Sequence, residues 1–178
     1  MGMMMAEQSP EFDLMEFRVG SNLQPSFAIP QKLADLPAVS EKDAVRTRKF
    51  LLEMPGMGPM RMLGMGGGFT INGRSMDLNR IDEVVKKGET EIWEIQNAGP
   101  MIHPFHIHNT QFRILDRNGQ SPMANENGLK DTVVVDPDEV VRVLIRFDNY
   151  TDADRPYMYH CHILEHEDAG MMGQFTVV

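Results

Sequence analysis

The chain has 178 residues, 42% of them hydrophobic and 24% charged, which suits one globular domain with a short extension. Net charge is −9, which excludes the basic face that nucleic-acid binding needs. No apolar run is long enough for a membrane helix, and the single cysteine, Cys161, excludes an internal disulfide.

The start, MGMMMAEQSPEFD, lacks the basic and apolar regions of a secretory signal. Leu14 to Val19 reads as one short strand. Gly20 to Val39 holds three prolines without periodicity and reads as a linker. A lone strand buries nothing by itself, so residues 1–19 are expected to be the tail of a preceding domain. The linker is assigned to 20–47 and the main domain to 48–178.

From there the pattern is strand-like. Arg48 to Glu53, Phe69 to Ile71, Thr90 to Gln96, Phe105 to Leu115, Thr132 to Val135, Val140 to Phe147, Tyr157 to His162 and Gln174 to Val178 are the expected strands. Asn72-Gly73 is a turn signal, and Ile163 to Asp168 is the one helical turn. Many short strands between Gly, Pro and Asn turns predict an all-β sandwich or barrel. Trp93 is expected in its core.

All six histidines fall in two windows, His103-Pro-Phe-His106-Ile-His108 and His160-Cys161-His162-Ile-Leu-Glu-His166. Strand side chains alternate faces. His160 and His162 therefore share a face and Cys161 points away from them. His106 and His108 share a face, and the odd offset of His103 turns it the other way. Two donor groups result: His103, Cys161, His166 and Met171, and opposite them His106, His108, His160 and His162. Two imidazoles, a thiolate and a weak thioether make a blue-copper electron-transfer site. Four imidazoles alone do not choose a metal. Their attachment to Cys161 through two peptide links favours a redox metal over zinc, and the CxxC pairs of structural zinc sites are absent.

HPFHIHNTQFRIL with YHCHILEHEDAGMMGQFTVV resembles the last domain of three-domain bacterial multicopper oxidases of the cuprous oxidase and laccase type. The resemblance covers about residues 48–178. It implies a cupredoxin-like Greek-key β-sandwich, eight-stranded in the family. It implies copper ligation at a type 1 site by His103, Cys161, His166 and Met171. His106 would serve type 2 copper, and His108, His160 and His162 the type 3 pair. The implied reaction takes single electrons from a phenolic or Cu(I) substrate and passes them through Cys161 to a trinuclear cluster, where dioxygen becomes water. That cluster needs eight histidines, four from another domain. This sequence has no further HxH pair, so the resemblance implies a complete type 1 site and half-sites for types 2 and 3. The missing half would come from absent first and second cupredoxin domains or from a homo-oligomer. A stand-alone blue-copper module is the alternative. The family implies a periplasmic or extracellular location.

Glu167 is read two ways, as a solvated carboxylate or, as in similar oxidases, as a proton relay. Asp168 is expected at the surface. Met54, Met57, Met60, Met62 and Met65 lie in a Gly-rich stretch, read as soft Cu(I) donors or as an adaptable apolar cover. Met101 is expected to pack in the core, with a place on the substrate approach as the alternative.

Overall fold

A computed structural model describes residues 15–21, 28–36, 38–54 and 68–178. The chain divides into a first unit, Met1–Asp35, and a second, Leu36–Val178. In the first unit the described residues carry no regular secondary structure, and Met15, Phe17 and Val19 are exposed. The strand expected over Leu14 to Val19 is therefore absent from its described part. A strand satisfies its backbone only against a neighbour, and among the described residues none pairs with it.

The second unit begins its regular structure before residue 48. Ser40 caps a 3-10 turn, Glu41–Asp43, through a capping box with Asp43. The first strand, β1, is Ala44–Glu53 and runs four residues upstream of the expected start. Its first four residues, Ala44 to Thr47, are mostly exposed, so their period-2 signal is weak. The other strands are β2 (Thr70–Ile71), β3 (Glu83–Val85), β4 (Thr90–Asn97), β5 (His103–Ile107) and β6 (Phe112–Arg117), then β7 (Thr132–Val135), β8 (Val140–Arg146), β9 (Asp152–Cys161) and β10 (Met172–Val177). One short helix, α1 (Leu164–Asp168), lies between the last two.

The strands form two sheets, ordered β2-β1-β4-β8-β6 and β3-β10-β9-β5-β7. The expected all-β sandwich is thus observed, with ten strands among the described residues rather than eight. Two differences bear on function. The run Phe105 to Leu115 is not one strand. It breaks at Asn109, which takes a left-handed φ of 55°, so that β5 joins one sheet and β6 the other. Asn tolerates that conformation, and the break carries the chain across the sandwich. The strand β3 has only three residues and no alternation to betray it, yet it pairs in parallel with β10.

The core is aromatic. Trp93, Phe50, Phe105, Phe147 and Phe175 are fully or almost fully buried, as expected for Trp93. Phe50 and Trp93 rings lie 4.5 Å apart, and Tyr159 meets both edge-on at 5.0 and 5.6 Å. One buried carboxylate, Glu91, is satisfied by Arg48 at 2.6 and 2.9 Å and by the Trp93 indole N–H at 3.1 Å. Two parallel guanidinium bonds offset its desolvation, so β1 and β4 are joined by charge as well as by backbone.

Tyr159 fits only because its cross-strand partner is Gly173. A Cβ there would stand 2.5 Å from the Tyr159 Cζ, and Tyr159 is wedged among buried aromatics. Gly173→Ala should therefore destabilise the chain by about 1–3 kcal/mol in urea unfolding. Adding Tyr159→Phe should recover part of that loss; equal stability of wild type and Gly173→Ala would count against this packing.

Candidate metal centre

The site is built on the antiparallel pair β5 and β9. Their register sets Phe105 opposite Cys161 and His106 opposite His160. Alternation then sorts the donors. His103, Phe105 and Ile107 are buried on the inner face of β5, while His106 is half-exposed. On β9, Cys161 is fully buried and points away from its histidine neighbours.

On the inner side, His103 Nδ1 lies 3.4 Å from the Cys161 sulfur, and His166 Nδ1 lies 3.6 Å from it. These three donor atoms are all within 4.8 Å of one another. Met171, the fourth expected donor, is fully buried and adjoins the trio through the backbone. Its carbonyl accepts from Cys161 N–H at 3.0 Å, and its N–H donates to the His166 carbonyl at 2.9 Å.

The electrostatics suit a soft, positively charged guest. Burial lowers the His103 pKa from 6.5 to about 4, with the neighbouring His166 adding to the shift. Burial also lowers His166, against a smaller opposing pull from Glu165. Both rings are therefore neutral near pH 7, which leaves their Nδ1 lone pairs free to bind. Burial pushes the Cys161 thiol up, and a backbone hydrogen bond at Ile163 offsets part of this. Metal binding must displace that thiol proton. His103 Nε2 is buried without a hydrogen-bond partner among the described residues. A ring with one end orphaned and the other aimed at a thiol fits a ligand better than a structural hydrogen bonder. The donor set fits copper.

The outer face holds the second group. The His108 and His160 Nε2 atoms are 3.0 Å apart, and the donor atoms of His106, His108 and His160 lie within 4.8 Å of one another. His162 follows β9, is exposed, and has its ring 5.3 Å from His160 and 5.6 Å from His106. His108 lies just past β5, yet its N–H donates to the Met158 carbonyl at 2.9 Å and prolongs the ladder. His106 Nδ1 donates to the Asp131 carbonyl at 2.9 Å, and His160 Nδ1 to the Cys161 carbonyl at 3.0 Å. A carbonyl only accepts, so both rings carry the proton on Nδ1 and turn Nε2 to the cluster. A cavity of about 630 Å³ opens beside His106 and His108, lined also by Arg113, Asp131, Leu144 and Arg146.

Glu167 reaches this outer group: its carboxylate is 3.4 Å from His160 Nδ1. Asp168 is exposed, as expected. Met101 is 45% exposed, which overturns its assignment to the core. Pro100 and Met101 lie on the loop before β5, where the chain turns outward to deliver His103. Met54 Sδ packs on Gly99, 3.2 Å from where a Cβ would stand. Met57, Met60, Met62 and Met65 lie outside the described residues. Sequence reasoning missed Phe69, whose ring stacks on His166. A lone Phe beside a Gly-rich stretch carries no signal of that contact.

A two-sheet Greek-key sandwich with a Cys between histidines of opposite face defines a cupredoxin-like copper domain. The family model described as Multicopper oxidase matches residues 46–178, and the chain belongs to that family. It is 44% identical over 122 residues to multicopper oxidase mco of Staphylococcus haemolyticus, covering 66% of this chain and 26% of that protein. It is 40% identical over 182 residues to a laccase of Haloferax volcanii, covering 97% of this chain and 30% of that one. The crystal structure of a multi-copper oxidase from Pediococcus acidilactici superposes with a TM-score of 0.71 at 38% identity, over 86% of this chain and 30% of that chain. The chain thus spans between a quarter and a third of these relatives.

The His103 shift predicts a pH response of the metal-free chain. Its folded pKa lies below the unfolded value, so the unfolded state binds the extra proton first. Stability should fall as pH drops from about 6.5 to about 4, by at most about 3 kcal/mol from this ring. Unfolding free energies of the copper-free chain against pH check this. A His103→Gln chain should show a flatter curve over the same window.

Proposed function

We propose that this chain is the copper-binding, electron-accepting domain of a multicopper oxidase of the laccase or cuprous oxidase type. The observation that carries the reading is the convergence of His103 and His166 Nδ1 on the Cys161 sulfur, with His160 and His162 flanking that cysteine on the other face. In this reading His103, Cys161, His166 and Met171 hold the type 1 copper. His106 contributes to type 2, and His108, His160 and His162 to type 3. Bound copper supplies one-electron redox chemistry at the inner site and dioxygen reduction at the outer one.

The chain's own residues divide the remaining tasks. Cys161 links the two faces by covalent bonds through its neighbours, which favours electron passage over any through-space route. Neutral His103 and His166 would bind the metal through Nδ1 with no proton to displace there. In this reading Glu167 relays protons to the outer face, which its 3.4 Å approach to His160 Nδ1 supports. Four substrate electrons and four protons convert one dioxygen to two waters. The reducing substrate is a phenol or Cu(I).

The outer group is half of what a trinuclear cluster requires. His106 and His108 line the cavity and His162 is exposed, which supports completion by another cupredoxin domain or a second copy. A stand-alone blue-copper module is the second reading, and the full burial of His103, Cys161 and Met171 would serve it equally well. The four outward imidazoles favour the first reading, because an electron carrier has no use for them. The family resemblance supports a periplasmic or extracellular setting. Among the described residues no helix is long and apolar enough to cross a membrane.

Copper loading tests this directly. The loaded chain should show the intense visible band of a thiolate–Cu(II) bond, and Cys161→Ser should abolish it. A spectrum indifferent to that substitution would overturn the inner-site assignment. Oxygen uptake with phenols should be negligible for the chain alone and appear only where the outer half-site is completed.

A further inference from the structure

His166 poses a positional problem. It sits in α1, a helix of five residues, far shorter than one that is stable alone. Among the described residues its ring makes one polar contact, Nδ1 to the Cys161 sulfur. Such a contact does not fix the plane of an imidazole. The ring that does lie against it is Phe69, with centroids 3.9 Å apart and planes inclined by 23°. The His103 ring is farther, at 5.1 Å, and tilted by 50°.

Phe69 lies where the chain enters the other sheet. It directly precedes β2, and the turn that follows it is tied to the ligand loop. Ser75 Oγ donates to the Phe69 carbonyl at 3.3 Å, and Met76 N–H donates to the Gly170 carbonyl at 2.9 Å. Gly170 has φ +94°, and a Cβ there would come within 3.1 Å of Ser75 Cβ. Segment 69–76 therefore clasps the loop 166–171 by backbone and by ring.

We infer that Phe69 is the positioning residue for His166, holding its imidazole plane so that Nδ1 meets Cys161 and a bound metal. The inference rests on the inner-site reading given above. Two physical effects act together. Stacking removes the rotation of the ring before metal binds, so less freedom is lost on binding. An imidazole that donates to a cation becomes electron-poor, and an aromatic face stabilises it. Partners of metal ligands commonly alter affinity by about 10-fold to 100-fold.

The test uses the full chain with Phe69→Leu, which keeps apolar bulk, and Phe69→Tyr, which keeps the ring. Copper affinity is measured by chelator competition, and the His166 ring protons by NMR in the metal-free chain. Phe69→Leu should weaken copper binding by about 10-fold or more and lose the upfield ring-current shift of His166. Phe69→Tyr should retain both, and the metal-free unfolding midpoint of either variant should stay near that of wild type. Should Phe69→Leu unfold, Phe69→Met replaces it with the same expectations. Wild-type copper affinity in the leucine or methionine chain, or an unchanged His166 shift, would overturn the inference. Absence of the thiolate–Cu(II) band in wild type would instead overturn the inner-site reading, while the metal-free NMR arm still decides the Phe69–His166 contact.

Discussion

The register between β5 and β9 is the constraint on which the site depends. With Phe105 opposite Cys161 and His106 opposite His160, one strand pair sends its donors to two faces. A slip of one residue would turn every side chain to the other side and exchange thiol for imidazole. Several contacts prevent that slip. Tyr159 is locked in the aromatic core and needs Gly173 across from it. The His108 and His162 backbone N–H groups extend the pairing to Met158 and Pro104. The ordinary packing of a β-sandwich is thus what holds the metal donors apart and in order.

Much of this was legible from residue spacing, because strand alternation needs no tertiary knowledge. Within each run, the separation of His103 from His106 and of Cys161 from His160 and His162 follows from spacing, while the register of β5 against β9 decides which sets share a face. Less local matters were not legible. The break at Asn109 was hidden because HNTQ sits between two apolar runs, and only the need to cross the sandwich reveals it. The start of β9 is charged and ends in Arg155-Pro156, so it lacks a strand signature; it is a strand because Asp152 pairs with Val177. Met101 looked like core and is exposed, since position before a buried residue says nothing about a loop's direction. Phe69 was invisible for the opposite reason. Its contact with His166 joins residues 97 positions apart and depends on a turn-to-loop clasp.

The two donor groups differ in solvation, and that difference has chemical content. His103, Cys161 and Met171 are fully buried, and His166 is nearly so. The outer group holds half-exposed His106 and His108 beside an open cavity and exposed His162, with only His160 buried. A dry site penalises charge. With copper held by one thiolate and two neutral imidazoles, the formal charge would be +1 for Cu(II) and zero for Cu(I). Burial would therefore favour the reduced state, as the proposed electron-accepting role requires. The raised Cys161 pKa has the same origin. Burial keeps the empty thiol neutral and holds its proton, which copper would have to displace to bind.

The outer group follows the reverse logic. His106, His108 and His162 keep access to water, and buried His160 meets the Glu167 carboxylate, which would suit the proton-consuming site proposed above. Burial still lowers the pKa of both His108 and His160, with neighbouring histidines adding to the His108 shift. Both shifts favour the neutral rings, whose lone pairs are then open to metal. The single residue common to both environments is Cys161. Its side chain belongs to the dry group, and its carbonyl accepts the Nδ1 proton of His160 in the wet one. That one hydrogen bond fixes the tautomer that aims His160 Nε2 outward, so the residue that would receive the electron also orients a ligand at its destination.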